Sequence, residues 1–176
     1  SATLIAKDRE SAFLQRLYAT PLRAADFLIG YTLPILPIAL LQCVVCYIVA
    51  VILGLPITFS IFLAIAANIP AAIFFIAVGL LCGSLFTVKQ VGGLCGALFT
   101  NLTAWFSGIW FDLDLVGGTF KKSANALPFM HAVELERAVL NGTSSDIIPH
   151  LLWVLGYAAI TAIGATLVFV RQMKRQ

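Results

Sequence analysis

Apolar residues run without a Lys, Arg, Asp or Glu over 32–54, 60–86, 91–111 and 149–170, and polar segments separate the four runs. A hydrocarbon layer about 30 Å thick is crossed by about 20 helical residues rising about 1.5 Å each. Each run is therefore long enough to span a bilayer as one helix. The pattern predicts an all-α polytopic membrane bundle of four transmembrane helices.

The segments between the runs carry patterns of their own. In the stretch 1–31, Phe13, Leu14, Leu17 and Tyr18 recur at helical spacing, and Arg9, Glu10, Gln15 and Arg16 fill the remaining face. This predicts an amphipathic helix at the membrane surface, broken at Thr20-Pro21, where Thr can cap and Pro can open a second helix. Pro34 and Pro37 near the start of the first span, and Pro70 inside the second, predict kinks or tilt. A turn over 87–90 makes the second and third spans antiparallel neighbours. Gly79 with Gly83 and Gly92 with Gly96 repeat the small-xxx-small spacing that lets helix backbones approach closely. In 112–148, the run from Phe129 to Leu140 is amphipathic and ends at Asn141-Gly142, predicting a short helix stopped by glycine. Its apolar side, Phe129, Ala132, Val133 and Leu140, is expected to rest at or dip into the membrane interface. Glu134 and Arg137 are spaced to pair.

Composition agrees: 61% of residues are hydrophobic and only 11% charged, against about 25% charged in soluble domains. A water-soluble core is excluded. The distribution of charge orients the spans. Lys7, Arg9, Arg16, Arg23, Lys89, Arg171, Lys174 and Arg175, eight of the eleven basic residues, fall on one side. Lys121, Lys122 and Arg137 share the other side with Asp112, Asp114, Glu134, Glu136 and Asp146. The positive-inside rule predicts both termini in the cytoplasm and 112–148 outside, and an even number of crossings is consistent with that. There is no cleavable signal peptide pattern in 1–23. The chain does not begin with Met, which predicts a longer parent.

Candidate chemistry is sparse. Cys43 and Cys46 form a C-x-x-C, but mid-span and without a neighbouring charge to lower a thiol pKa, so small apolar fillers account for them better than a dithiol does. His131 and His150 lie far apart in sequence without a carboxylate cluster, so no metal site is expected. No Walker A loop is present, so energy must come from a partner or a gradient. The spans carry no ionisable Asp, Glu, Lys or Arg, which weighs against proton coupling through them. Their uncharged polar residues include Gln42, Asn68, Asn101, Thr103, Ser107 and Thr161. These account for interhelical hydrogen bonds worth about 0.6 kcal/mol each, with Asn68, Asn101, Thr103 and Ser107 as the candidates for a substrate path.

Lys7-Asp8-Arg9-Glu10 followed by Arg16-Leu17-Tyr18-Ala19-Thr20-Pro21-Leu22 resembles the charged stretch and coupling segment of type-2 ATP-binding-cassette transporter permeases. The resemblance continues, in order, through Gly30-Tyr31-Thr32-Leu33-Pro34 and Phe106-Ser107-Gly108-Ile109-Trp110-Phe111 to Leu127-Pro128-Phe129-Met130-His131-Ala132 and Arg137. It implies that two further spans precede Ser1. It also implies that 1–31 is a cytoplasmic coupling segment in which Arg9, Glu10, Arg16, Leu17, Thr20, Pro21 and Leu22 contact a nucleotide-binding ATPase subunit. The loop 112–148 becomes an external re-entrant hairpin, with Pro128, Phe129, Glu134 and Arg137 as gate residues. The implied protein is a multi-pass component of the cell membrane that works as an exporter. It pairs with a second permease copy, identical or different, and binds no nucleic acid. ATP and Mg reside in the partner, leaving this chain without a cofactor of its own. Two other readings are an intramembrane redox enzyme using Cys43 and Cys46, and a non-transporting scaffold subunit.

Overall fold

A computed structural model describes residues 1–10 and 24–173, and within them the protein is helical, with no strand. The helices are α1 (Ala2–Glu10), α2 (Ala24–Ile52), α3 (Ser60–Leu85), α4 (Val88–Val91), a π-helix π1 (Gly92–Phe99), α5 (Thr100–Phe106), α6 (Leu113–Val116), α7 (Gly118–Ala126), α8 (Pro128–Asn141) and α9 (Ser144–Met173). Three are long and apolar enough to cross a membrane: Ile29–Ile52 of α2, Ser60–Leu85 and Ser144–Arg171. Leu33, Ile38, Leu41, Val45, Ile48 and Ile52 of α2 are all exposed. At about 25 cal/mol per Å² that face is costly in water and at no cost in lipid.

Helix α3 is the axis of the bundle, packing against α9, α2, α1 and α8. Three clusters along it set the register. At one end Ile76 and Leu80 pack with Ile5 of α1 and with Ala165 and Phe169 of α9. In the middle, Phe74 packs with Phe129 and Ala158. At the far end Ala64 packs with Leu135 and Val139. Thus α9 runs parallel to α3, and α8 runs antiparallel to both. Phe74 lies about 21 Å along α3 from Ser60 at 1.5 Å per residue. The α7–α8 hairpin therefore reaches from that end into the middle of the bundle.

The local signals account for the helix ends. Thr87 and Gln90 form a capping box at the start of α4, with Thr87 N donating to Gln90 Oε1 at 3.0 Å and Gln90 N to Thr87 Oγ1 at 3.4 Å. Pro128 opens α8, and Gly142, left-handed at φ 74°, stops it as the Asn141-Gly142 pair predicts.

Several boundaries differ from the apolar runs. Helix α2 begins at Ala24 and α9 at Ser144, ahead of the apolar runs, so Pro34, Pro37 and Pro149 lie within them. The third run is helical only over 88–106, and after it Gly108 turns the chain at φ 69°. Its middle turns, rich in Gly92, Gly93 and Gly96, widen into the π pattern, where Thr100 Oγ1 donates to Cys95 O at 3.1 Å, five residues back. The buried side of α8 keeps the expected Phe129 but continues through His131, Leu135, Ala138 and Val139 rather than Ala132, Val133 and Leu140. A helix inserted between others buries the positions that meet them, and α3 and α9 approach α8 from that side.

Candidate functional site

At the α1 end, Arg9 reaches across to α3. Its Nη1 donates to Ser84 O and its Nη2 to Phe86 O at 2.8 Å. These carbonyls terminate α3, where intrahelical partners run out and the helix dipole favours a cation. Beside it Tyr31 Oη donates to Asp8 Oδ2 at 2.6 Å, tying α1 to α2. Gly83 permits the approach, since a Cβ there would lie 2.5 Å from Ala2 O, and one on Gly79 would collide with Ser1. The close packing expected of the glycine pair 79/83 is thus made with α1. Gly92 and Gly96 have open space around them. Arg16, Leu17, Thr20, Pro21 and Leu22 lie outside the described residues, as does the side chain of Glu10.

In the middle of the bundle, the aromatic rings of Phe74, Phe75, Phe99, Phe129 and Tyr157 meet. Phe129 lies 6.1 Å from Phe74, 6.2 Å from Phe75 and 5.6 Å from Phe99, centroid to centroid. The hairpin residue expected at a gate therefore holds α3, π1 and α9 together from inside. Pro128 beside it is buried. Glu134 and Arg137 pair at 2.8 Å as their spacing predicts. They line a cavity of about 770 Å³ shared with Asp112, Asp114 and Lys121.

The hairpin is also latched. Tyr157 Oη donates to Ala126 O at 2.6 Å, and His131 stacks on Trp153 at 4.9 Å. His131 Nε2 lies 2.9 Å from Asn125 O and its Nδ1 2.8 Å from Nδ1 of His150. A carbonyl only accepts, so Nε2 carries the proton and His131 Nδ1 accepts from His150. Burial lowers the proton affinity of His131. Nineteen residues of sequence separation hid this pair, and among the described residues no group of three or more ligands surrounds it.

Two cavities flank α3. One, about 610 Å³, lies between α3 and 92–109; Gly79, Phe75, Phe99, Thr103 and Ser107 line it. Thr103 Oγ1 donates to Phe99 O at 2.8 Å and Ser107 Oγ to Ala104 O at 2.9 Å, so both hydroxyls are turned onto their own helix. Asn101 does the same, to Ala97 O at 2.8 Å, and lines neither cavity.

The other cavity, about 620 Å³, lies among α2, α3 and α8. Gln42, Cys43, Cys46, Tyr47, Asn68, Phe75 and Glu136 line it. Cys43 and Cys46 are free thiols. Tyr47 Oη donates to Glu136 Oε2 at 2.5 Å. The other carboxylate oxygen, Oε1, is buried without a hydrogen-bond partner among the described residues. Burial pushes the Glu136 carboxyl up, and the Tyr47 hydrogen bond partly offsets this. The apolar runs are free of acids, yet α8 delivers one between them. The sequence placed Glu136 only among the acids of 112–148, and nothing in its local pattern marked it as the one that enters the bundle.

No curated protein and no solved structure matches the chain. The sequence profile described as ABC-2 type transporter matches residues 1–141. That match covers α1 through α8, the inserted hairpin included, and α9 completes the bundle they pack against. With its apolar helices, the chain is a multi-pass membrane permease component and belongs to the ABC-2 type transporter family.

Proposed function

We propose that this chain is part of the permease of an ATP-driven exporter in the cell membrane, with the α1 end in the cytoplasm and the hairpin outside. A nucleotide-binding ATPase subunit docks on the stretch from Arg9 to Leu22, holding ATP and Mg itself, and a second permease copy completes the path. The observation that carries the reading is the grip of Arg9 on the last carbonyls of α3. A push on the coupling segment reaches α3 through that grip, and α3 meets the hairpin at Phe74 and Phe129. Two discrete packings of this line would serve as inward and outward states.

Co-purification with an ATPase subunit, followed by reconstitution, tests the reading. Substrate should stimulate ATP hydrolysis in the wild type, and Arg9→Glu should leave hydrolysis unresponsive to substrate. Normal transport by Arg9→Glu would refute the docking and transmission assignment. Hydrolysis that never responds to any transported compound would instead identify a scaffold.

A further inference from the structure

We propose that the cavity among α2, α3 and α8 is a subsite for protonated amines, with Glu136 as the group that receives the ammonium. This deepens the permease reading and rests on it for the idea that the cavity belongs to a transport path. The two oxygens of the Glu136 carboxyl are unequally satisfied. Glu136 Oε2 is satisfied by Tyr47 at 2.5 Å, but Oε1 is buried and unpartnered among the described residues. A buried carboxylate oxygen without a donor is costly, and an N–H cation brought to it restores the lost solvation.

Ser1 also lines the cavity, but its α-amino group is not a hydrogen-bond partner of Oε1. No Lys, Arg or His side chain among the described residues lines the cavity. Arg137, next in sequence, is turned about 100° around the helix and is engaged by Glu134. The walls fit a ligand with a charged head and an apolar body. Gln42 and Asn68 bring carboxamides to the same space, groups whose oxygens accept from an ammonium, and Tyr47 and Phe75 line it with aromatic rings. A volume of about 620 Å³ falls within the range of small-molecule sites, roughly 300–1,000 Å³. An anionic ligand would meet the Glu136 carboxylate without a compensating cation and is disfavoured.

Direct binding tests this without ATP or a partner. The purified chain in lipid nanodiscs is titrated with a dansyl-labelled long-chain primary amine and with its N-acetylated, uncharged analogue, empty nanodiscs correcting for partition. The charged probe should bind at least about tenfold more tightly, the size expected of a charge-assisted hydrogen bond. Glu136→Gln should abolish the preference while leaving the neutral probe unchanged. Tyr47→Phe, which keeps the carboxylate, should retain the preference. Equal binding of the two probes by the wild type would overturn the proposal even if Glu136→Gln fails to fold, and so would a preference that survives Glu136→Gln. Failure of the permease reading would show separately, as absent transport with this preference intact.

Discussion

Arg9 closes the end of α3, its Nη2 lying 2.8 Å from Phe86 O across 77 residues of sequence. Hydrogen bonds from a charged group are worth about 1.5–3 kcal/mol, so this one side chain fastens α1 to the central helix. Arg9→Ala is expected to lower the thermal midpoint of the purified protein. Arg9→Lys, which restores the charge without the two-pronged reach, should recover only part of the loss.

The two glycine pairs should behave oppositely. Gly83→Leu forces a side chain into Ala2, and overpacking of this kind costs about 1–3 kcal/mol. Gly92→Ala meets nothing within 4 Å and should be neutral or stabilising by about 0.5–1 kcal/mol, since Ala favours a helix. Melting curves of both variants in one detergent make the comparison.

Phe129 is buried at the meeting point of α3, π1 and α9. Phe129→Ala should cost about 3–5 kcal/mol and free the hairpin. Phe129→Leu, closer in volume, should cost less. Hydrogen exchange at α8 amides reports the hairpin, and substrate-stimulated ATP hydrolysis in the reconstituted complex reports its consequence for coupling.

The His131–His150 latch should weaken in acid. Burial holds His131 below the usual histidine value, so the open hairpin takes up a proton that the closed one refuses. The stability of the closed form is complete above the ordinary histidine pKa of about 6.5 and falls as pH drops through it. Around His131 stand Asn125 O, His150, Trp153 and the carboxylate of Glu134, and Glu134 alone favours protonation by its charge. Exchange at α8 amides, corrected for intrinsic rates, should rise between neutral and acid pH. His131→Gln should flatten that dependence.

Much of the architecture was legible in the chain before folding. Uncharged runs forecast the helices that became α2, α3 and α9, because a bilayer demands about 20 apolar residues and admits almost nothing else. Asn141-Gly142 forecast the stop of α8, and the spacing of Glu134 and Arg137 forecast their ion pair. These are local effects, written within one or two turns. The amphipathic pattern over 11–23 and the Thr20-Pro21 break fall outside the described residues.

Which face of α8 is buried was not legible, because its amphipathic pattern is compatible with lying on an interface and with lying among helices. Periodicity names a face, and only the neighbours decide what covers it. The same holds for Glu136. Sequence by itself determined that the membrane-length runs contain no carboxylate and that the basic residues gather on one side. Tertiary structure alone decided that a carboxylate from outside those runs meets Tyr47 between them, that Arg9 ends α3, and that two distant histidines touch. The reason is physical: helix formation and membrane partition depend on neighbours along the chain. These contacts join residues 89, 77 and 19 positions apart, and they exist only once the helices have packed.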